Sequence, residues 1–237
     1  MISTGELFEL KLRATDGDVG HVRDLIFHDG DWAIRELIAE TGGWLFGRRV
    51  SIDPDDVLEP DVVAGVLPLE LTKDQVKSRP AAAARDVSDG STSEEILAWN
   101  QSNAMAAVPE NMLLAGATVP VQPLSTEMPP PNVHLRSLRD IIDYEVWARD
   151  DMAGILKGFL VDPIAWDLPI ALVQLDSGDG TVVLLPTRLI ADLGWPERIV
   201  RTYFDPSVLR DAPVYDPRVL DERVYLPTVA DYYSTRV

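Results

Sequence analysis

A short stretch near the N-terminus concentrates the side chains that could bind a metal. His21 and His28 lie there among five aspartates, and imidazole with carboxylate is a donor set that suits divalent cations. These two histidines and Asp29 are therefore the candidate metal ligands. The histidines are seven residues apart, however, so a regular strand would place them on opposite faces. A second copy of the stretch, described below, has Ile155 and Asp162 in their places, and we expect solvated turn residues here and no metal site.

Two other acidic segments are similar to sites of known chemistry. Residues 176–180 (DSGDG) resemble a calcium loop, but the regular ligand spacing and the closing glutamate of an EF-hand are missing, which favours a hairpin turn. Residues 53–56 (DPDD), with Glu59 and Asp61, could supply a general acid and a general base. The sequence predicts no apolar pocket that would raise the pKa of one of these carboxyls, so we expect a solvated corner.

Nucleophilic and phosphate chemistry find no support in the sequence. The chain contains no cysteine and only three histidines, which excludes disulfides, thiolate nucleophiles, iron–sulfur clusters and thiolate zinc sites. A Gly-x-Ser-x-Gly nucleophile turn and a glycine-rich phosphate loop are also missing. We therefore predict no catalytic residue, no cofactor-binding residue, no cofactor and no enzymatic activity.

Local positive charge comes from three pairs of arginines. They are Arg48 with Arg49, Arg136 with Arg139, and Arg198 with Arg201. In an acidic protein such pairs most often neutralise neighbouring carboxylates. A groove for an anion or an acidic peptide is the alternative interpretation.

Acidic residues outnumber basic residues along the whole chain. The sequence contains 39 Asp or Glu and 21 Lys or Arg, so its formal net charge is -18. Nucleic acids and anionic membrane surfaces are bound mainly through Lys and Arg, and we expect neither as a partner. No segment reaches the roughly 18 consecutive apolar residues of a membrane span, and the N-terminus lacks a signal sequence. These features, with the missing cysteines, favour a cytoplasmic protein without a membrane anchor.

The elements that must position these residues occur in two copies. Residues 14–38 return 134 positions later as residues 148–172. The identical pairs are Ala14 and Ala148, Asp16 and Asp150, Gly20 and Gly154, and Trp32 and Trp166. After a one-residue slip the match continues 133 positions apart, for example from Ile52 to Leu185. This spacing indicates an internal duplication of two small units.

Alternating segments between glycine turns predict strands in each unit. In the first unit the predicted strands are residues 7–14, 19–27, 32–40, 46–52 and 62–71, with Pro68 at an edge or bulge. Thr72 then opens a capping box for a short helix, and Asp205 with Pro206 provides the N-cap and first helical residue in the second unit.

The sequence thus predicts a mainly β fold: two small β-barrels in tandem with short flanking helices. The predicted boundaries are 1–80 for the first barrel, 81–133 for a linker with a short helix and a proline-rich tract, 134–220 for the second barrel and 221–237 for a C-terminal docking tail.

One stretch of the first unit resembles a known family. Residues 14–52 (ATDGDVGHVRDLIFHDGDWAIRELIAETGGWLFGRRVSI) are similar to the PRC-barrel family, named for the cytoplasmic domain of the photosynthetic reaction-centre H subunit and also found at the C-terminus of the ribosome maturation factor RimM. The resemblance covers the first unit well and the second less closely, with its best segment at residues 134–166. It implies PRC-type barrels in which the motif residues serve the fold: Gly20 and Gly154 where a strand bends or is closely approached, and Trp32 and Trp166 as packing groups.

The same resemblance implies a non-catalytic interaction or adaptor protein of undefined pathway. The expected partner is another protein, or a second copy of the chain in a homodimer. A small-ligand-binding or photosynthetic electron-transfer accessory protein is the alternative, and it predicts an enclosed apolar pocket between the copies, lined by residues such as Trp99 or Trp147. A role in ribosome maturation is a third hypothesis, which the net charge disfavours.

Overall fold

The computed structural model of this protein describes residues 1–42, 48–80, 82, 134–218 and 222–236. Strands predominate over helices and form two sheets, which confirms the predicted mainly β class. The first unit contains β1 (Ile2–Ser3), α1 (Thr4–Glu9), β2 (Lys11–Ala14), β3 (Gly17–His28), β4 (Ile34–Thr41), β5 (Arg48–Ile52), a 3-10 turn (Pro54–Asp56), β6 (Val66–Pro68) and α2 (Lys73–Ser78). The second unit contains β7 (Leu135–Ser137), α3 (Leu138–Ile141), β8 (Glu145–Ala148), β9 (Asp151–Asp162), β10 (Asp167–Leu175), β11 (Val182–Pro186), a 3-10 turn (Thr187–Leu189), β12 (Ile190–Gly194), β13 (Ile199–Thr202), α4 (Pro206–Arg210) and α5 (Glu222–Ser234).

The two sheets have the same strand order over most of their width. The first runs β5-β4-β3-β2-β6, and the second runs β11-β10-β9-β8-β13-β12. Neighbouring strands are antiparallel except at the corresponding pairs β2 with β6 and β8 with β13, which are parallel. Ala39 pairs with Val50 in the first sheet and Val173 with Val183 in the second, so the pairing reproduces both the 134-residue and the 133-residue spacings of the sequence.

Each unit gives its first strand to the sheet of the other. Strand β1 pairs with β9 of the second unit, and β7 pairs with β3 of the first. Ile2 lies opposite Val161 in one contact, and Arg136 lies opposite Phe27 in the other. The partners in both contacts are related by the same 134-residue spacing, so the exchange is reciprocal.

Two further hydrogen bonds join the units where the exchanged strands converge. The amide of Ile34 donates to the carbonyl oxygen of Trp166 at 2.7 Å, and the amide of Leu168 donates to that of Trp32 at 3.0 Å. These bonds flank a bridge between Ala33 and Asp167, whose positions also differ by 134. An approximate two-fold axis therefore passes between the two units at this bridge, and buried side chains from both form one continuous hydrophobic core.

Helix α1 follows the exchanged strand β1, and the alternating pattern of residues 7–14 does not predict it. That pattern predicts one strand, but residues 4–9 are helical and only Lys11–Ala14 is extended. The amide of Glu6 donates to the Ser3 hydroxyl at 3.2 Å, and the Glu6 carboxylate accepts from the Ser3 amide at 3.0 Å. This capping box satisfies donors at the helix start and outweighs the alternation, so the strand prediction is wrong at its N-terminal half.

The predicted strand at residues 62–71 is also wrong over most of its length. Only Val66–Pro68 is extended, because residues 61–65 form a turn in which the Asp61 carboxylate accepts from the amide of Ala64 at 2.8 Å. Pro68 lies in β6, at the end of the strand order, where its missing amide breaks no further ladder.

The predicted cap of α2 forms its hydrogen bonds, whereas the predicted cap of α4 does not. Thr72 and Gln75 form the predicted capping box of α2. Asp205 is the N-cap residue of α4 and Pro206 its first residue, but the Asp205 side chain makes no capping hydrogen bond and instead accepts from Arg149 at 3.0 Å. Two different local contacts therefore begin helices at corresponding places.

Helix α5 packs on the second sheet through its aromatic face. Tyr233 is buried and donates its hydroxyl hydrogen to the carbonyl oxygen of Leu184 at 3.0 Å, and Val229 is buried beside it. The predicted linker helix and proline-rich tract lie outside the described residues, apart from residue 82. Among the described residues, no helix is both long enough and apolar enough to cross a membrane.

Candidate functional site

A cavity of about 290 Å³ opens at the junction of the two units. The turn after β3 contributes Asp29, Gly30 and Trp32; His134 comes from just before β7 and Arg136 from within it. Residues 190–193 of β12 close the opposite side. The exchange of β7 into the first sheet brings these segments together, because the backbone amide of Asp29 donates to the carbonyl oxygen of His134 at 2.8 Å.

The carboxylate of Asp29, with the side chains of Arg136 and His134, forms the polar wall of this pocket. One oxygen of Asp29 accepts from Nε of Arg136 at 2.8 Å, and the other lies 2.8 Å from Nδ1 of His134. An ionised carboxylate can only accept, so a hydrogen bond between these two groups requires the hydrogen on Nδ1 of His134. The neighbouring His28 ring lies 5.3 Å from that of His134 and takes its own hydrogen bond from the amide of Gly30.

Arg136 is unusual among the described arginines because it is buried. Its side chain is only 9% exposed, and its guanidinium carbon lies 4.7 Å from the centre of the Trp195 ring. Within the described part of the chain, Nη1 of Arg136 and Nε1 of Trp195 are buried without a hydrogen-bond acceptor. Buried donors without an acceptor are uncommon in proteins, because leaving one unpaired costs about 1–3 kcal/mol.

The lining of the pocket also has an apolar part, which Trp32 connects to the core. Trp32 stacks on Phe27 with ring centres 5.4 Å apart and also contacts Phe159 of the second unit. Trp32 has a φ of 60°, a left-handed conformation that turns the chain back from β3 toward β4. Its counterpart Trp166 has a φ of 50° and is likewise buried.

The three candidate metal ligands are not brought together. His21 lies in the middle of β3, opposite Lys11 and Glu40, and its side chain is exposed. At roughly 3.3 Å per residue it lies about 23 Å along the strand from His28. Asp29 already accepts from Arg136 and His134, and the described residues contain no group of three side chains suited to a metal ion.

The other acidic segments form turns. Residues 176–180 connect β10 to β11, and a hydrogen bond from the Ser177 hydroxyl, with others from Thr181, lowers the pKa of Asp179 to about 2. An open cleft of about 470 Å³ lies beside this turn. In the 53–56 segment, Asp53 caps the 3-10 turn and Asp56 pairs with Arg79. The carboxylates of Asp179, Asp53 and Asp56 therefore stabilise turns or pair with a neighbouring arginine.

A half-buried carboxylate lies at the strand exchange, away from the pocket. Asp24 of β3 accepts from the Ser137 hydroxyl at 2.5 Å and from the amides of Arg139 at 3.2 Å and Leu25 at 2.8 Å. Burial raises the pKa of Asp24 despite these three donors. The Asp24 carboxylate thus holds the start of α3 against the first unit, which is a structural role.

Another strand approaches Gly20 and Gly154 closely, as the sequence predicts. A Cβ atom added to Gly20 would lie 1.9 Å from the carbonyl oxygen of Glu40, and one added to Gly154 would lie 2.4 Å from that of Gln174. The two acceptors are themselves 134 residues apart, so both units bring strands together at the same point.

The pocket residues were largely missed by sequence reasoning. Arg136 was grouped with Arg139, but Arg139 stacks on Phe8 and donates to the carbonyl oxygen of Arg23 instead. Trp147, expected to line a pocket between the copies, donates to Glu145 at 2.9 Å and does not line this one, and Trp99 lies outside the described residues. His134 and Arg136 are separated from Asp29 by more than 100 residues, so no local pattern could have paired them.

Comparison with known proteins identifies a family for the first unit. No curated protein matches the chain. The family model for the PRC-barrel domain matches residues 1–76, a range that holds β1 through β6 and most of α2. Residues 1–76 of this chain are therefore a PRC-barrel domain.

Proposed function

We propose that this chain is a non-catalytic interaction protein of the cytoplasm, whose two units present one composite surface to a protein partner. The observation that supports this proposal is the reciprocal strand exchange, in which β1 and β7 each complete the sheet of the other unit. Units joined in this way cannot rotate independently without breaking backbone hydrogen bonds. A partner that contacts both units would therefore meet a preformed surface, which lowers the entropic cost of binding.

The proposed lack of catalysis rests on how the described ionisable groups are used. The carboxyl with a burial-raised pKa at the exchange, Asp24, is bound to the start of α3 and lines neither described pocket. The lowered pKa values of Asp18 and Asp216 come from hydrogen bonds with arginines on the surface. The hydroxyl of Ser137 that donates to Asp24 also accepts from the amide of Asp140, so this hydroxyl and the Asp24 carboxylate both serve the start of α3. Burial and the nearby Asp162 raise the pKa of Asp167, which likewise lines neither described pocket.

Both units contribute to the surface beside the two-fold axis. The turn between β9 and β10 exposes Ile164, which is 87% accessible and follows Asp162, the residue whose carboxylate holds the turn. Trp166, two residues later, accepts the hydrogen bond from Ile34 of the first unit. An exposed aliphatic side chain at such a junction is a suitable anchor for a protein partner.

Affinity capture from native lysate tests the proposal, using the full-length protein and two surface variants. Ile164→Glu places a charge beside the axis, whereas Val63→Glu places the same charge on a fully exposed position of the 61–65 turn in one unit only. We expect a specific protein to be recovered by the wild type and by Val63→Glu but not by Ile164→Glu. Equal recovery by all three forms would contradict a surface centred on the axis.

Self-association is a separate part of the proposal. Exposed aliphatic side chains in both units, including Leu58, Val62 and Ile164, offer apolar area to a second copy. Sedimentation velocity over a wide concentration range measures it directly. A single monomeric species at the highest concentration would exclude the homodimer and leave the adaptor proposal standing.

Binding of a small ligand is the second candidate function, and the pocket at the junction of the units is the observation that favours it. The pocket is open to solvent and has one polar wall, which differs from the enclosed apolar site that this hypothesis predicts from sequence. Photosynthetic electron transfer and ribosome maturation rest on family resemblance alone and stay predictions.

A further inference from the structure

We propose that the junction pocket binds a small carboxylate through Arg136. The proposal does not depend on the adaptor function, because it concerns a ligand site that one chain holds by itself. Three features of the pocket support the proposal: a buried donor without an acceptor, a locally balanced charge, and a set of apolar residues in the lining.

The buried donor belongs to the guanidinium of Arg136. Among the described residues, only Nε of this guanidinium makes a hydrogen bond, to Asp29, and Nη1 is buried without an acceptor. Nη1 is covered by protein atoms, so the proposal includes a rotation of the side chain that presents this nitrogen to a ligand oxygen. A carboxylate matches the planar fork of a guanidinium and would satisfy this donor.

Local charge distinguishes this pocket from the rest of an acidic molecule. Arg136 is balanced by Asp29, and Asp192 on the opposite side is paired with Arg201 at 2.9 Å. The four charges sum to zero, whereas the chain as a whole carries -18. An anion therefore meets less repulsion here than over most of the surface.

The remaining lining selects the rest of the ligand. Trp32, Ile190 and Leu193 are large apolar residues in the lining of the cavity, which has a volume of about 290 Å³. That volume is at the lower limit for small-molecule sites and suits a compact aliphatic body. The chemistry is that of a short branched carboxylate, supplied either as a free acid or as the C-terminal residue of a peptide.

Calorimetric titration of the full-length protein with isovalerate tests the proposal. Isovaleramide, which has the same shape without the charge, is the matched ligand. We expect saturable binding of isovalerate with a dissociation constant on the order of 1 mM and at least tenfold weaker binding of the amide. A valine-terminated peptide and its C-terminally amidated form then distinguish a peptide end from a free acid as the source of the carboxylate.

Two variants test the role of Arg136 in opposite directions. Arg136→Gln should weaken isovalerate binding at least tenfold, and Arg139→Gln should leave it unchanged. Asp29→Asn removes the carboxylate that competes for the guanidinium, so it should tighten binding about tenfold, while Asp31→Asn in the same turn changes it less than about twofold.

The comparison of acid with amide and of Asp29→Asn with Asp31→Asn keeps the proposal testable if Arg136→Gln fails to fold. Equal binding of isovalerate and isovaleramide would overturn the proposal. So would weaker binding of isovalerate by Asp29→Asn than by the wild type, or no saturable binding of isovalerate by either protein. Tighter binding by Asp29→Asn with no response in Asp31→Asn supports it.

Discussion

Replacing Gly20 by alanine should destabilise the protein strongly, because two backbone segments meet at this residue. A Cβ atom at Gly20 would lie 1.9 Å from the Glu40 carbonyl oxygen and 2.9 Å from its carbon. The acceptor belongs to the paired strand β4, so relief requires β3 and β4 to separate. Gly20 also has a φ of 151°, which side-chain-bearing residues rarely adopt.

The magnitude follows from these two contributions. Overpacking in a tightly packed region costs about 1–3 kcal/mol, and an unfavourable positive φ adds about 1–2 kcal/mol. We therefore expect Gly20→Ala to lower the free energy of unfolding by about 2–5 kcal/mol, against a typical total of about 5–15 kcal/mol. Gly154→Ala, with a Cβ 2.4 Å from the Gln174 oxygen, should lose about 1–3 kcal/mol from the overlap.

Urea unfolding followed by tryptophan fluorescence and far-ultraviolet circular dichroism measures both losses. Gly5→Ala is the matched control, since the nearest atom to its added Cβ is the Ser3 hydroxyl oxygen at 3.9 Å. In helix α1 this control should be neutral or stabilising by up to about 1 kcal/mol. A Gly20→Ala variant within about 0.5 kcal/mol of wild type would refute the argument from close approach.

Three further substitutions examine the contact between helix α1 and the second sheet, the half-buried carboxylate and the C-terminal helix. Thr4→Ala removes the hydroxyl that accepts from the buried amide of Phe159 at 3.1 Å and should cost about 1–3 kcal/mol in urea unfolding, whereas Thr4→Ser should retain most of the stability. Burial raises the pKa of Asp24, so its ionisation lowers stability as the pH rises from 3.8 through the folded-state value, and Asp24→Asn should gain free energy of unfolding relative to wild type over that range. The pKa of Asp18 is lowered by a hydrogen bond from a neighbouring arginine, so Asp18→Asn should lose relative to wild type as the pH rises toward 3.8, and the same trend in both variants would contradict the assignment. Tyr233→Phe leaves a buried backbone carbonyl without its donor and should lower the melting temperature, with a loss of about 1 kcal/mol; an unchanged value would mean that the hydroxyl bond does not hold α5.

The sequence alone determined the β character of the chain, the two copies and their registers. Side-chain alternation and glycine turns are properties of contiguous segments, so β3, β4 and the slip before Val50 could be read directly. The Thr72 capping box was likewise visible in four adjacent residues. The box at Ser3 was equally local and was overlooked because the alternation after it pointed to a strand.

Only the tertiary structure decided which strand completes which sheet. Ile2–Ser3 and Leu135–Ser137 are too short to show a pattern, and their partners are chosen by the free edges that the folded units present to each other. That choice carries Arg136 to Asp29 and creates the junction pocket, since both side chains lie on segments that meet across the exchange. Contacts between residues so far apart in the chain depend on the packing of whole units, which no local spacing encodes.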